Sequence, residues 1–144
     1  MIKEITLGEA RVATLLACKL YTSHTVNELE KEMELLIEDD NAAILLAYHS
    51  NEAIGFAQCQ LRVDYVEGTD SSPVGYLEGI YVLENYRNSG VARELVKECE
   101  RWAKRKGCLE FASDCELGNE QSLAMHLRLG FTEANRIICF RKDI

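Results

Sequence analysis

Arg87-Asn88-Ser89-Gly90-Val91-Ala92 joins an apolar, β-prone run, Tyr76 to Leu83, to a helical pattern that lasts to about Lys106. A strand, a short Gly-containing turn and a helix N-terminus gather several unpaired backbone N–H groups around one point, and the helix dipole adds partial positive charge there. Such a point suits a diphosphate. Turns with Gly and Ser are common for purely conformational reasons. What distinguishes this one is that the strand and the helix stand directly on either side of it.

Outward from the turn, the helix after it carries Val91, Leu95, Cys99, Trp102 and Ala103 on one face, and Gly107 is well placed to end it. Leu109 to Asp114 reads as a short strand, Glu120 to Leu129 as a helix, and Asn135 to Arg141 as a last strand. Upstream, Val12, Leu15, Leu16 and Leu20 predict a helix over Glu9 to Leu20. Thr25 and Glu28 have capping-box spacing ahead of Val26, Leu29, Met33 and Leu36. Ala42 to Tyr48 and Ala53 to Val63 predict a strand pair about the turn at Ser50-Asn51, and the Asp, Gly, Ser and Pro of residues 64 to 75 predict a loop. The order is that of a mixed α/β sheet with helices on its faces. With 144 residues, one Pro and no repeat or linker, a single domain spanning 1–144 is expected.

An apolar fraction of 47% fits a packed core, and no apolar run reaches the roughly 20 residues that span a bilayer. No signal peptide is apparent at the N-terminus. The six cysteines (18, 59, 99, 108, 115 and 139) form no Cys-x-x-Cys pair, so neither a zinc site nor a disulfide framework is expected, and a cytoplasmic protein with reduced thiols is the plain reading. The net charge of −8 resides in residues 1–76, which hold 5 Lys/Arg against 13 Asp/Glu. Such a surface attracts cationic partners and repels nucleic acid and anionic membranes. Runs such as Glu28-Leu29-Glu30-Lys31-Glu32 read as solvated helix faces. The acidic loop around Tyr65, from Asp64 to Asp70, is less easily explained so, because an aromatic among carboxylates suits a sugar bearing ammonium groups.

The pattern Arg87-x-x-Gly90-x-Ala92 after a strand resembles the acetyl-CoA pyrophosphate loop of the GNAT acetyltransferases. Asn119 followed by a helix and then Leu129-Gly130-Phe131 is similar to the same superfamily's approach to its last strands. Asp64-Tyr65-Val66-Glu67-Gly68-Thr69, Ser71-Ser72-Pro73-Val74, Leu77-Glu78-Gly79-Ile80-Tyr81-Val82 and Phe111-Ala112-Ser113-Asp114 resemble one subgroup, the aminoglycoside 6′-N-acetyltransferases. The resemblance runs through most of residues 40–144 and implies a GNAT fold, a mixed, mostly antiparallel sheet flanked by helices.

It also implies a distribution of roles. Backbone groups of Ile80, Tyr81 and Val82 would pair with the pantetheine arm of acetyl-CoA. Those of Arg87, Asn88, Ser89, Gly90, Val91 and Ala92 would cradle the pyrophosphate, and Asn119 would join the donor site. The Val82 N–H would stabilise charge on the acyl oxygen, a contribution of a few kcal/mol in comparable sites. Tyr21, Tyr65, Asp70, Glu78, Asp114 and Glu133 would face the aminoglycoside; the subgroup often has Trp where Tyr21 stands. Glu78 is the first choice of general base and Asp114 the residue that binds and orients the amine, because an amine must lose a proton before it attacks. The residue types alone also allow a structural salt bridge for Glu78 and a strand-end cap for Asp114. His126 stands where many superfamily members place a Tyr that returns a proton to the leaving thiolate; a rim or core histidine is the other reading. No cysteine has a neighbouring His or a basic setting, so transfer is expected to be direct, without an acyl-enzyme and without a metal.

The family tends to dimerise, and the apolar stretch Ile137-Ile138-Cys139-Phe140 would otherwise leave an exposed edge, so a homodimer is expected. An acidic cleft serves other amines equally well, among them a polyamine, an amino acid or a protein terminus. A non-catalytic acetyl-CoA-binding module is the remaining alternative, because a fold does not fix a substrate.

Overall fold

The computed structural model, which describes residues 1–144, organises the chain about a five-stranded sheet. In spatial order the strands are β1 (Ile2–Glu4), β2 (Ala42–His49), β3 (Glu52–Arg62), β4 (Val74–Val82) and β5 (Phe111–Ser113). The first four run antiparallel to their neighbours, and β5 joins β4 in parallel. Three helices cover the sheet, α1 (Ala10–Ala17), α2 (Val26–Glu38) and α3 (Val91–Arg105), and a fourth, α4 (Glu120–Arg128), follows β5 with no buried residue. The expected mixed, mostly antiparallel sheet is therefore present.

Strand alternation sorts the core into two layers. Ala43, Leu45 and Ala47 of β2 pack with Leu95, Val96, Cys99, Trp102 and Ala103 of α3. Ile44 and Leu46, one residue out of phase, pack on the opposite face with Ala13, Leu16 and Ala17 of α1 and Leu29 and Met33 of α2. A strand covered on both faces has no polar side, which is why Ala42 to Ala47 reads as an unbroken apolar run. Each fully buried Leu, Ile or Phe contributes about 1.5–3 kcal/mol relative to an exposed one.

Local signals set the ends of the elements. The Thr25 hydroxyl accepts from the Glu28 N–H at 3.2 Å, and the Glu28 carboxylate accepts from the Thr25 N–H at 3.2 Å, completing the capping box that opens α2. The β2–β3 hairpin turns at Ser50-Asn51, where Ser50 takes a positive φ. No helix is long and apolar enough to cross a membrane.

Three expectations need correction. β1 pairs Ile2, Lys3 and Glu4 with Ala47, Leu46 and Leu45, and at three residues it is too short to show a period in the sequence. The first helix spans Ala10–Ala17 rather than Glu9 to Leu20, because Lys19, Leu20 and Tyr21 turn back to bond the carbonyls of Leu16 and Ala17. The strand expected over Asn135 to Arg141 does not enter the sheet. Residues 132–144 make no backbone–backbone hydrogen bond, and Ile138 and Phe140 are 78% and 91% exposed. The composition is that of a strand, but the segment pairs with no strand of the sheet and its apolar side chains stay exposed.

Candidate active site

A split in the sheet creates the site. β5 follows β4 for three pairs only, Gly75–Phe111, Tyr76–Ala112 and Leu77–Ser113, and then ends. From Glu78 to Val82, β4 continues with no strand on that side. At the same level β4 bulges: Leu77 pairs with Cys59 and Gly79 with Gln58, so Glu78 has no opposite number on β3. A bulge bends its strand and re-aims the extra side chain. Tyr21 secures it, its hydroxyl donating to the Glu78 carbonyl at 3.3 Å. Gly79 makes room for that contact, since a Cβ there would lie 2.2 Å from the Tyr21 hydroxyl oxygen. Burial, with the Glu78 charge adding to it, raises the Tyr21 pKa, so the phenol stays a neutral donor.

Antiparallel pairing alternates, and the Leu83 N–H already bonds the Ile54 carbonyl on β3. The backbone groups of Val82 and Ile80 therefore point the other way, into the split. The N–H groups of both residues and the Ile80 carbonyl fit an extended amide-bearing arm added as a further strand. The Val82 carbonyl is already taken by Arg87 Nε at 2.9 Å, and the Arg87 guanidinium also lies 5.3 Å from the centre of the Tyr81 ring. Arg87 thus ties the strand end to the turn that follows.

That turn runs through a 3-10 segment, Glu84–Tyr86, into Asn88 at φ 58° and Gly90 at φ 89°, the N-cap of α3. The first helical bond is Glu94 N–H to the Gly90 carbonyl. The N–H groups of Asn88, Ser89, Gly90, Val91, Ala92 and Arg93 have no acceptor within the chain. A Cβ on Gly90 would have nothing within 4 Å, so the space over the turn is open. Six free donors at one helix N-terminus, beside a run of free strand groups, fit a diphosphate followed by a pantetheine arm.

Across the split, the Ser113 hydroxyl lies 2.8 Å from His126 Nε2 and 3.3 Å from the Leu77 carbonyl. His126 Nδ1 donates to the Ser122 carbonyl at 2.7 Å, so Nε2 is the ring nitrogen that faces Ser113. His126 thus stands at the apex of the split and not in the core. Asn119 caps α4, its Oδ1 accepting from the Ser122 N–H at 3.1 Å, so that oxygen is already engaged.

The acceptor side is a chain of four residues. The Tyr76 hydroxyl donates to Asp114, which follows β5. The face of the Tyr76 ring carries the Arg62 guanidinium 3.4 Å from its centre. Arg62 Nε and Nη2 donate to the two Glu78 oxygens at 3.0 and 2.9 Å. Burial, and next the bond to Asp114, push the Tyr76 pKa far above the ordinary phenol range, so its proton stays in place. Glu78 is thus paired, as one of the two readings of its residue type has it, and still one-fifth exposed at the split.

The acidic loop lies alongside. Val66 is buried against Val74 and Tyr76, which leaves Tyr65 77% exposed. Glu110 holds the loop by accepting from the Asp70 N–H at 2.9 Å and from the Ser71 hydroxyl, and these bonds, Ser71's first, lower its pKa. The Glu67 carboxylate accepts from Asn135 Nδ2 at 2.6 Å, which brings the chain end to the loop. Glu133, in that end segment, pairs with Arg136 on the surface. The structure therefore brings together Tyr21, Glu78 and Asp114, with Tyr65 and Asp70 on the adjoining loop, and leaves Glu133 outside the cluster. Arg62, Tyr76 and Ser113 escaped the sequence reading. Arg62 did leave a signal, as the sole Lys or Arg between Lys31 and Arg87. No cluster of three or more His, Cys, Asp or Glu is placed to hold a metal ion. The neighbouring Cys59 thiol, and next burial, push the free Cys99 thiol well up, away from nucleophilic use.

Comparisons with known proteins agree with this geometry. The model of the acetyltransferase (GNAT) family matches residues 12–131. An aminoglycoside N(6′)-acetyltransferase type 1 from Acinetobacter genomosp. 13 is 47% identical over 87% of this chain and 86% of its own. A protein of the same name from Acinetobacter baumannii is 44% identical over 96% of both chains. Among solved structures, AAC(6′)-Iy in complex with the bisubstrate analog CoA-S-monomethyl-acetylneamine superposes with a TM-score of 0.96 at 38% identity, covering 100% of this chain and 98% of its own. A split sheet, an open donor turn and a family match spanning both lead to one assignment: this chain belongs to the GNAT acetyltransferase family.

Proposed function

We infer that this protein is an aminoglycoside 6′-N-acetyltransferase, which moves acetyl from acetyl-CoA to the 6′-amine of an aminoglycoside by direct transfer and so confers resistance. The observation that carries this reading is the pairing of the open donor turn at Asn88–Arg93 with two carboxylates, Glu78 and Asp114, at the adjacent split. The relatives of the same name, at 47% and 44% identity over most of both chains, support the choice of acceptor.

Bound acetyl-CoA supplies an activated acetyl group. The chain's residues do the rest. The free groups of Ile80 and Val82 align the donor arm, and the Asn88–Arg93 amides hold the diphosphate. The Val82 N–H faces the acyl oxygen. Asp114 holds the incoming ammonium, and Glu78 takes its proton, directly or through water. His126, with Ser113 on its Nε2, is the proton source on the leaving side. Tyr65 and Asp70 offer an aromatic face and an anion to the remaining rings of a polycation. Holding both substrates together contributes much of the rate. The net charge of −8 disfavours nucleic acid and anionic membranes as partners, and six unpaired cysteines fit a reducing cytoplasm.

A thiol-release assay with a 6′-amino and a 6′-hydroxy aminoglycoside tests the reaction and its position together. Turnover is expected with the amine alone; turnover with neither would move the acceptor to another amine class or favour an acetyl-CoA-binding module.

We also propose that the protein works as a homodimer in which the end segment of one copy packs on the other. The support is the exposed Ile137, Ile138 and Phe140 on backbone without partners. Light scattering on a sizing column should give twice 16.3 kDa; a monomer mass at micromolar protein would overturn this.

A further inference from the structure

We propose that Arg62 is a positioning residue for the acceptor reaction: it fixes the Glu78 carboxylate at the bulge and leaves Asp114 as the one carboxylate of the pair without a cation. This rests on the acceptor reading above.

The guanidinium is held at one face and one edge. The Tyr76 ring lies beneath it at 3.4 Å, and two parallel N–H donors, Nε and Nη2, reach separate oxygens of Glu78 at 3.0 and 2.9 Å. Only Arg has a planar fork that stacks and binds a carboxylate in two places at once. Stability does not account for such a clamp. The Arg62 side chain is 42% exposed, and exposed ion pairs contribute about 0–1 kcal/mol. Position accounts for it better. Glu78 is the residue that the bulge leaves without a partner on β3, so nothing in the strand ladder sets the direction of its carboxylate. Arg62, at the end of the neighbouring strand, supplies what the ladder omits.

The clamp also sets the charge. Glu78 and Asp114 carry two negative charges and Arg62 one positive, with Tyr76 as a neutral bridge between the two sides. The four-residue chain thus offers one net negative charge, matched to one ammonium. Both Glu78 oxygens keep a lone pair beyond the fork, so the carboxylate can still accept a proton after Arg62 has set its plane.

The test is a double-mutant cycle with Arg62→Met and Glu78→Gln, read as kcat and KM for a 6′-amino aminoglycoside, with thermal midpoints beside them. Arg62→Met should lower kcat tenfold or more while the KM for the cationic acceptor stays level or falls, because a like charge has left the site. In the Glu78→Gln background the same change should cost less than a further twofold. Arg62→Lys keeps the charge and loses the fork, so its kcat should stay at least threefold down. An unchanged kcat in Arg62→Met overturns the proposal, as does a KM rise alone or an equal kcat loss in both backgrounds. A readout without turnover separates this from the acceptor reading. The Arg62 Nε–H signal in the nitrogen-15 NMR spectrum of the enzyme alone should exchange slowly, and rapidly in Glu78→Gln. The same exchange rate in both overturns the clamp even where the aminoglycoside is acetylated. Absence of turnover in the unmutated protein with a slow signal falls on the acceptor reading alone.

Discussion

In the Glu78→Gln protein, kcat/KM for a 6′-amino aminoglycoside falls at least tenfold, about 1.4 kcal/mol of barrier, while the Kd of acetyl-CoA stays within twofold. The substitution keeps the shape of the side chain and one of its acceptors, so it spares the bulge and the Tyr21 bond to the Glu78 carbonyl. What it removes is the charge and the basic oxygen. Glutamine cannot take a proton from an ammonium held at Asp114, and the amine then reaches the acyl carbon only in its scarce neutral form. It also leaves Arg62 with half of its fork unmatched, which puts an excess cation beside the site of a cationic substrate. Both effects oppose the acceptor half and neither touches the turn at Asn88–Arg93. Unchanged kcat/KM would remove Glu78 from the reaction and favour Asp114, or a water, as the base. A loss shared equally with acetyl-CoA affinity would mean that the bulge itself had collapsed, and with it the strand groups of Ile80 and Val82.

The donor half of this site is legible in sequence because it is local. A strand, a turn and a helix within residues 76–106 suffice to build it, and each announces itself through its own periodicity or its glycine. The capping box at Thr25 and the hairpin at Ser50-Asn51 are legible for the same reason. The acceptor half is assembled from separate strands. Arg62 meets Glu78 across 16 residues, and Tyr76 meets Asp114 across 38. Glu78 could be suspected only as a charge in an apolar strand; its partner became visible once β3 and β4 were in register. The bulge has no sequence signature beyond Gly79, whose missing Cβ makes way for a tyrosine 58 positions earlier. The last apolar stretch fails differently. Its β-like composition is real, but a strand also needs a partner edge, which periodicity does not report, so a strand is expected there and backbone without pairing is found.

The donor turn can be tested without disturbing the acceptor. Gly90→Val should raise the Kd of acetyl-CoA tenfold or more and change the affinity for an aminoglycoside less than twofold. Gly90 caps α3 at φ 89°, ψ 1°, a left-handed conformation that a β-branched residue adopts only under strain of roughly 1–2 kcal/mol. Nothing lies within 4 Å of a Cβ there, so no clash inside the protein drives the effect. The strain is relieved by turning the backbone, and the backbone at this point is the proposed diphosphate site. Rotating one peptide re-aims the neighbouring N–H groups, and these donors act together on one anion. Asn tolerates the left-handed region, so Gly90→Asn should recover most of the affinity. Gly107 provides the control. It takes the same φ of 89°, also has open space over its Cβ position, and lies just past the other end of the same helix. Gly107→Val should therefore lower the thermal midpoint about as much as Gly90→Val and leave acetyl-CoA affinity alone. Equal losses of affinity in the two variants would trace the effect to a loosened α3. Normal affinity in Gly90→Val would mean that the free amides at Asn88–Arg93 are not what holds the diphosphate. The expected difference between two glycines of one conformation, on one helix, is the direct measure of what the N-terminal turn contributes beyond its fold.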